Sequence, residues 1–341
     1  MRATDRVGTP KRMKFLKTLF WLFVLAALGV AGGGAHWASQ PILAPGQPAV
    51  DFAIAPGSGL RSVAEQIASQ HIALQPLLFE ALVRLTGKDG QIKAGHYALK
   101  PGTTPQRLVG QLVRGEFAQE ALVIIEGWTF RQMREAVAAS PALKHDTVAL
   151  SDKELLAKVS TDYAVPEGLF FPDTYLFAKG ASDLQVYRQA HAAMLKRLQQ
   201  AWEQRDLSLP YKNPYEALTM ASIIEKETGQ KTERGMIAGV FVNRLKIGML
   251  LQTDPTVIYG MGDKFQGNIR KRDLLTDTPF NTYLRVGLPP SPISLPGNDA
   301  LNAALRPERT DALYFVARGD GSSVFSSNLP DHNRAVNRYQ R

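Results

Sequence analysis

The chain has 341 residues, 45% of them apolar, with 28 Gly, 21 Pro and no Cys. The absence of cysteine excludes disulfides, thiolate nucleophiles and Cys-ligated zinc, and nothing in the composition marks disorder. A net charge of +9 suggests nucleic acid, but five of those charges lie before the first apolar run; no basic stripe follows, which argues against a nucleic-acid partner.

Arg2, Arg6, Lys11, Arg12, Lys14 and Lys17 precede Thr18 to Ala35, TLFWLFVLAALGVAGGGA, a run without charge. As a helix this run spans roughly 27 Å, about one hydrocarbon core. Basic residues on its N-terminal side alone predict a cytoplasmic segment over residues 1–17 and a transmembrane helix over 18–36, with everything after it exported. Trp21 and Trp37 stand near its ends, where interfacial aromatics are expected. A signal peptide cleaved among the small residues Ala31 to Ala35 is the other reading, although the run exceeds the about 7–15 residues of a usual signal core. Gln40 to Pro48 is rich in Pro and Gly and predicts an extended linker, residues 37–49 in all.

A short pattern then recurs: an apolar strand, a glycine, an amphipathic helix. The copies are DFAIAPGSGLRSVAEQI from Asp51, YALKPGTTPQRLVGQL from Tyr97 and LVIIEGWTFRQMREAV from Leu122, turning at Gly57, Gly102 and Gly127. Thr104 and Thr129 stand where N-caps belong, Pro105 suits a first helical position, and Thr129 with Gln132 predicts a capping box. Gly59 is the weaker cap of the first copy. Such units must pack together to bury their helices. Ile54, Gly57, Val63, Ala64 and Ile67 resemble a LysM-like module, which predicts a small β/α domain over residues 50–120; these residues fit structural packing as well as sugar binding. The fold class expected for the whole chain is α+β, with a larger mixed α/β domain over 121–341.

Asn213 to Gly229, NPYEALTMASIIEKETG, predicts a helix: Asn213 as N-cap, Pro214 in first position, Glu216 as capping glutamate and Gly229 after the end. Ala217, Leu218, Ala221 and Ile224 form an apolar stripe, with Glu225 along its edge and Glu227 turned about 200° away, toward solvent. A carboxylate beside an apolar face is either paired in a structural network or kept protonated for chemistry, because desolvation raises its pKa. On the pattern alone both readings stand.

The flanking motifs are PEGLFFPDTY from Pro166, FVNRL from Phe241, LQTDPTVIYGMG from Leu251, NTY from Asn281, GLPPSPI from Gly287, Pro296-Gly297 and LYFVARGDG from Leu313. In this order, from Pro166 to His332, they resemble the endolytic murein transglycosylases, the YceG-like family. The resemblance implies a catalytic glutamate within Ala221 to Thr228, and the role is assigned to Glu225. It implies cleavage of the β-1,4 bond of peptidoglycan glycan strands by a single acid/base, leaving 1,6-anhydro ends without water, metal or cofactor. It implies, as partners, peptidoglycan, the inner membrane and peptidoglycan-synthesising machinery.

Gln252, Thr253, Asp254, Asn281 and Tyr283, the turn Leu288-Pro289-Pro290, and Ser222 in the helical segment are candidates for holding glycan, since short polar and aromatic groups in Pro/Gly-rich loops are common binding residues. Ordinary loop hydrogen bonding explains each of them equally well. Glu167 and Asp173, beside Phe170-Phe171-Pro172, fit either the lining of a cleft or, as the favoured reading, the capping of a turn. His332 has no second His at metal-ligand spacing, so no metal site is expected. Two other functions compete: a membrane-anchored scaffold that binds peptidoglycan without cutting it, and a hydrolase using Glu225 with Asp254.

Overall fold

The computed structural model describes residues 10–70 and 72–340; of the basic cluster, Arg2, Arg6 and the side chains of Lys11 and Arg12 fall outside the described part. The chain divides into two compact units, one of residues up to Gln119 with Ala178–Gly180, the other of Glu120–Phe177 and Ala181–Arg341.

The first unit opens with α1, Pro10–Ser39. Its part Lys14–Ser39 is long and apolar enough to cross a membrane. There follow β1 (Val50–Ile54), α2 (Leu60–Ala68), α3 (Pro76–Leu85), β2 (Gly95–Leu99) and α4 (Pro105–Arg114). β1 and β2 pair antiparallel from Val50↔Leu99 to Ile54↔Gly95. Alternate residues of each strand point inward, as the two-residue period of a strand requires. Phe52 and Tyr97 therefore face each other and stack with ring centroids 5.5 Å apart. Val63, Ile67, Phe79, Val83, Leu108 and Leu112 complete the core.

One expectation is overturned here. The segment read as an extended linker is docked: Ile42 and Leu43 are buried in this core. The Ile42 N–H donates to Thr103 O at 2.9 Å, and the Gly102 N–H donates to Leu43 O at 2.9 Å. The Pro and Gly residues that suggested a linker flank two apolar side chains with a pocket to fill.

The second unit begins with β3 (Gln119–Val123), α5 (Phe130–Ala139), α6 (Asp152–Val159) and β4 (Thr174–Ala178), which pairs with β3. It continues through α7 (Asp183–Glu203), α8 (Pro214–Glu227), α9 (Arg234–Lys246), α10 (Asp254–Met261), α11 (Lys271–Leu274) and α12 (Asn298–Leu305), and ends with β5 (Tyr314–Ala317), β6 (Ser323–Ser326) and α13 (Leu329–Tyr339). β5 and β6 form an antiparallel hairpin from Tyr314↔Ser326 to Ala317↔Ser323, and α13 packs on it.

The three strand–glycine–helix copies are present. Gly57, Gly102 and Gly127 all adopt φ between 78° and 79°, the left-handed region that only glycine enters without strain. Thr104 caps α4, Thr129 and Gln132 form the capping box of α5, and Gly59 makes no side-chain cap, as expected.

Helix α8 is the centre of the second unit, packed by α7, α9, α10 and α12. Its start is as expected: Asn213 Oδ1 accepts from the Glu216 N–H at 3.0 Å, with Pro214 in first position. Its faces are not. All eight residues from Ala217 to Ile224 are buried, so the helix has no apolar stripe with a solvent side opposite. The helix ends at Glu227, where Thr228 turns extended (φ −142°) without a left-handed glycine cap.

Candidate active site

Two glutamates close α8, and the structure treats them differently. Glu225 is paired: its Oε1 accepts from Arg234 Nη2 at 2.7 Å, with only 5% and 6% of the two side chains exposed. Its Oε2 accepts from the Gly297 N–H at 2.9 Å. Burial pushes its pKa up, and the Gly297 N–H and the Arg234 charge pull it back. The turn of the third copy closes around it. The Gly127 N–H donates to Leu295 O at 2.9 Å, and Lys226 Nζ donates to Gly127 O at 3.2 Å. A methyl group on Gly297 would meet the Glu126 side chain, which lies against the turn that glycine leaves open.

Glu227 was expected to face solvent. Instead it lines a cleft of about 930 Å³ with Gln252, Asp254 and Tyr283. The 200° rotation from Glu225 is real, but around a helix buried on every side it leads to another wall of the protein. Glu227 Oε2 accepts from the Thr253 hydroxyl at 2.5 Å. Burial raises its pKa above the usual carboxylate value; Thr253 lowers it, Asp254 raises it and Arg244 lowers it. The unpaired carbonyls at the end of a helix also disfavour a negative charge there.

The other candidates separate in the same way. Gln252 and Asp254 lie in the cleft, and Gln252 holds φ 51°, a strained backbone for a residue with a side chain. Thr253 is buried and occupies the N-cap position of α10, yet makes no cap: its hydroxyl goes to Glu227. Tyr283 donates its hydroxyl to Asp254 Oδ1 at 2.6 Å. Asn281 is fully buried and donates to Leu274 O and Thr276 O, and its Oδ1 accepts from the Tyr283 N–H. It shapes the loop and does not reach the cleft. Ser222 is fully buried too; its hydroxyl donates to Thr219 O and accepts from the Ile293 N–H. Leu288, Pro289 and Pro290 line a different pocket of about 560 Å³ with Tyr211 and Tyr215. Glu167 bonds as a cap, accepting from the Phe130 N–H at 2.9 Å, and also takes the Tyr259 hydroxyl at 3.1 Å.

Arg234 and Arg244 are functional neighbours that no sequence pattern singles out. Arg234 carried no motif, and only its partner reveals it. Arg244, inside FVNRL, lines the cleft while donating to Leu313 O, Leu250 O and Leu251 O, and its guanidinium lies over the Tyr314 ring at 5.3 Å. His332 stacks on the other partner of that group, with Tyr314 and His332 ring centroids 5.1 Å apart. Among the described residues no three His, Asp or Glu side chains converge as a metal site would require.

A carboxyl of raised pKa in the wall of an open cleft is the layout of a general acid/base site. A sequence profile of the YceG-like family matches residues 52–338, and the chain belongs to that family. It is 31% identical over 337 residues to an endolytic murein transglycosylase of Bacillus subtilis, covering 90% of each chain. It is 27% identical to one of Streptococcus pneumoniae, covering 93% of this chain and 64% of that longer relative. A crystal structure of a YceG-like protein from Listeria monocytogenes superposes with a TM-score of 0.54 at 31% identity, over 84% of this chain and 99% of the other.

Proposed function

We propose that this protein is a membrane-anchored endolytic transglycosylase of peptidoglycan, with Glu227 as its acid and base. The observation that carries the reading is the position of Glu227: a carboxyl of raised pKa in the cleft, beside Gln252, Asp254 and Tyr283, in a chain similar over its length to endolytic murein transglycosylases. Glu225, the residue expected for the role, has both oxygens engaged by Arg234 and Gly297. Those contacts support reading it as a structural partner.

The chemistry follows from one carboxyl. The Glu227 acid gives its proton to the glycosidic oxygen, the C1–O bond breaks with its electron pair leaving on that oxygen, and an oxocarbenium-like centre forms at C1 of the muramic acid sugar. The 6-hydroxyl oxygen of the same sugar attacks C1, and its proton passes to the Glu227 carboxylate, which restores the acid. The product carries a 1,6-anhydro end and no water is consumed. Asp254 faces the developing positive charge, held in place by Tyr283. In this reading α1 is retained as the anchor with its N-terminus cytoplasmic and the rest exported from the inner membrane, and cuts made beside the synthesising machinery end strand elongation.

Glu227→Gln keeps the size and polarity of the side chain but cannot exchange a proton. It should lower the yield of anhydro-muropeptides, measured by mass spectrometry per folded molecule, by about 10²–10⁴-fold. Reducing ends from the unmodified enzyme would instead identify a hydrolase with Asp254 as its second carboxylate, and near-normal anhydro yield from the variant would remove Glu227 from the mechanism.

A further inference from the structure

Helix α3, PLLFEALVRL, is apolar on two sides. Phe79 and Val83 are fully buried in the core of the first unit. Leu78, Ala81, Leu82 and Leu85 follow at the i, i+3, i+4, i+7 spacing of a second stripe, and this stripe, with α1, lines a groove of about 880 Å³. On the α1 side the groove is bounded by apolar residues such as Phe23, Val30 and Trp37, and no charged side chain lines it. Leu77 is 76% exposed and Leu85 87%. A soluble helix of this size has a polar outer face; α3 has exposed leucines there.

The chain also leaves little slack between α1 and this unit. Three residues after α1 ends at Ser39, Ile42 is hydrogen-bonded to Thr103, so the turn Lys100–Thr104 lies within roughly 10 Å of chain from the helix end. Lys100 and Arg107, on either side of that turn, are exposed, and among the described residues neither pairs with a carboxylate. Around the exit of α1 the surface thus carries exposed leucines on one helix and exposed cations on the neighbouring turn. That is the distribution of a protein surface lying at the boundary of acyl chains and headgroups.

We infer that the first unit is seated on the bilayer that α1 crosses, with Leu77, Leu78 and Leu85 of α3 entering the acyl layer and Lys100 and Arg107 meeting anionic headgroups. The inference rests on α1 being a retained anchor. The occupant of the groove between α1 and α3 is lipid acyl chain, because the groove is continuous with the one surface of the protein that must face lipid if α1 spans the membrane.

The chain has no cysteine, so single-cysteine variants of the full-length protein each carry one fluorophore without further changes. Leu22→Cys, Leu85→Cys and Arg61→Cys report the middle of α1, the proposed seat and the exposed side of α2. In phosphatidylcholine–phosphatidylglycerol vesicles, lipid-borne nitroxide should quench the labels at 22 and 85 and spare 61. Aqueous iodide should quench 85 about tenfold less than 61, since an anion enters hydrocarbon poorly. A label at 85 as open to iodide as that at 61, with 22 in lipid, overturns the seat and leaves the anchor standing. A label at 22 that iodide reaches overturns the anchor, and the seat with it. Energy transfer between labels at 85 on different molecules, at dilution in lipid, means that a second copy covers the groove and also overturns the proposal. Leu77→Cys repeats the reading from a second exposed position if Leu85→Cys does not fold.

Discussion

Thr253 occupies the N-cap of α10 but gives its hydroxyl to Glu227, at 2.5 Å. An uncapped helix start is worth about 1 kcal/mol, so the sequence forgoes a local gain to hold a carboxyl at the end of another helix. That hydrogen bond favours the charged form of Glu227 and draws down a pKa that burial has raised. Thr253→Val removes it and should lift the pKa further. A general acid must be protonated to act, so the alkaline limb of the pH–rate profile should move to higher pH, with kcat falling about tenfold from lost positioning. A profile that stays in place would mean that Thr253 and the acid are not coupled in the working enzyme.

The ion pair of Glu225 and Arg234 should govern stability. Both side chains are almost fully buried, and removing one partner of such a pair strands the other charge, at a cost of about 3–5 kcal/mol. Glu225→Gln should therefore lower Tm by many degrees while anhydro-muropeptide yield per folded molecule stays within a few-fold of normal. Replacing both partners with apolar residues should recover much of the loss. A stable but inactive Glu225→Gln enzyme would reverse the roles given to the two glutamates.

Glu167 makes stability depend on pH. Burial pushes its carboxyl up to about 7 from 4.5, against the lowering by the Phe130 N–H, the Tyr259 hydroxyl and the Gly168 N–H. The folded state thus holds a proton that the unfolded chain releases. The sign follows: the contribution is fully present below pH 4.5 and is lost as pH rises through 7, about 3 kcal/mol across the range. Chemical denaturation should show stability falling from pH 5 to pH 8, and Glu167→Gln should flatten that slope. An unchanged slope in the variant would assign the dependence to another group.

Gly297 and Glu126 test the packing around Glu225. An alanine at 297 would meet the Glu126 carboxyl, which is the end of an exposed, flexible side chain and can swing into solvent. Gly297→Ala should therefore cost less than about 1 kcal/mol, and Glu126→Ala in the same molecule should remove that small cost, as residues in contact couple. Additive effects in the double variant would show that the two do not meet.

What could be read from the residues was whatever local chemistry decides. The three glycine turns, the Thr104 cap, the Thr129–Gln132 box and the start of α8 depend on neighbours within a few positions, and each is where its residues predict. The faces of α8 depend on everything around it. Its residues from Ala217 to Ile224 are mostly small or apolar, which is compatible with one buried stripe or with burial all round, and periodicity cannot separate the two. For that reason Glu227, expected in solvent, stands in a cleft wall, while Glu225 at the edge of the stripe is buried and paired with Arg234. Ser222 and Asn281 have the polarity of binding residues, but backbone groups far along the chain claim their hydrogen bonds. Ile42 and Leu43 are only two apolar residues among Pro and Gly, a composition that suits a linker, and their burial depends on partners far along the chain.

The burial of α8 on every side also sets how the cleft can move. Amide hydrogens of Ala221 to Ile224 sit in the most protected part of the second unit and should exchange only when the whole unit unfolds, whereas the β5–β6 hairpin and α13 carry many half-exposed groups and belong to the class of elements that open at far lower free energy. One wall of the cleft should thus exchange slowly and the other fast. If the proposed reading holds, glycan should enter by excursions of the hairpin side, while the Glu227 carboxyl at the end of α8 stays in place.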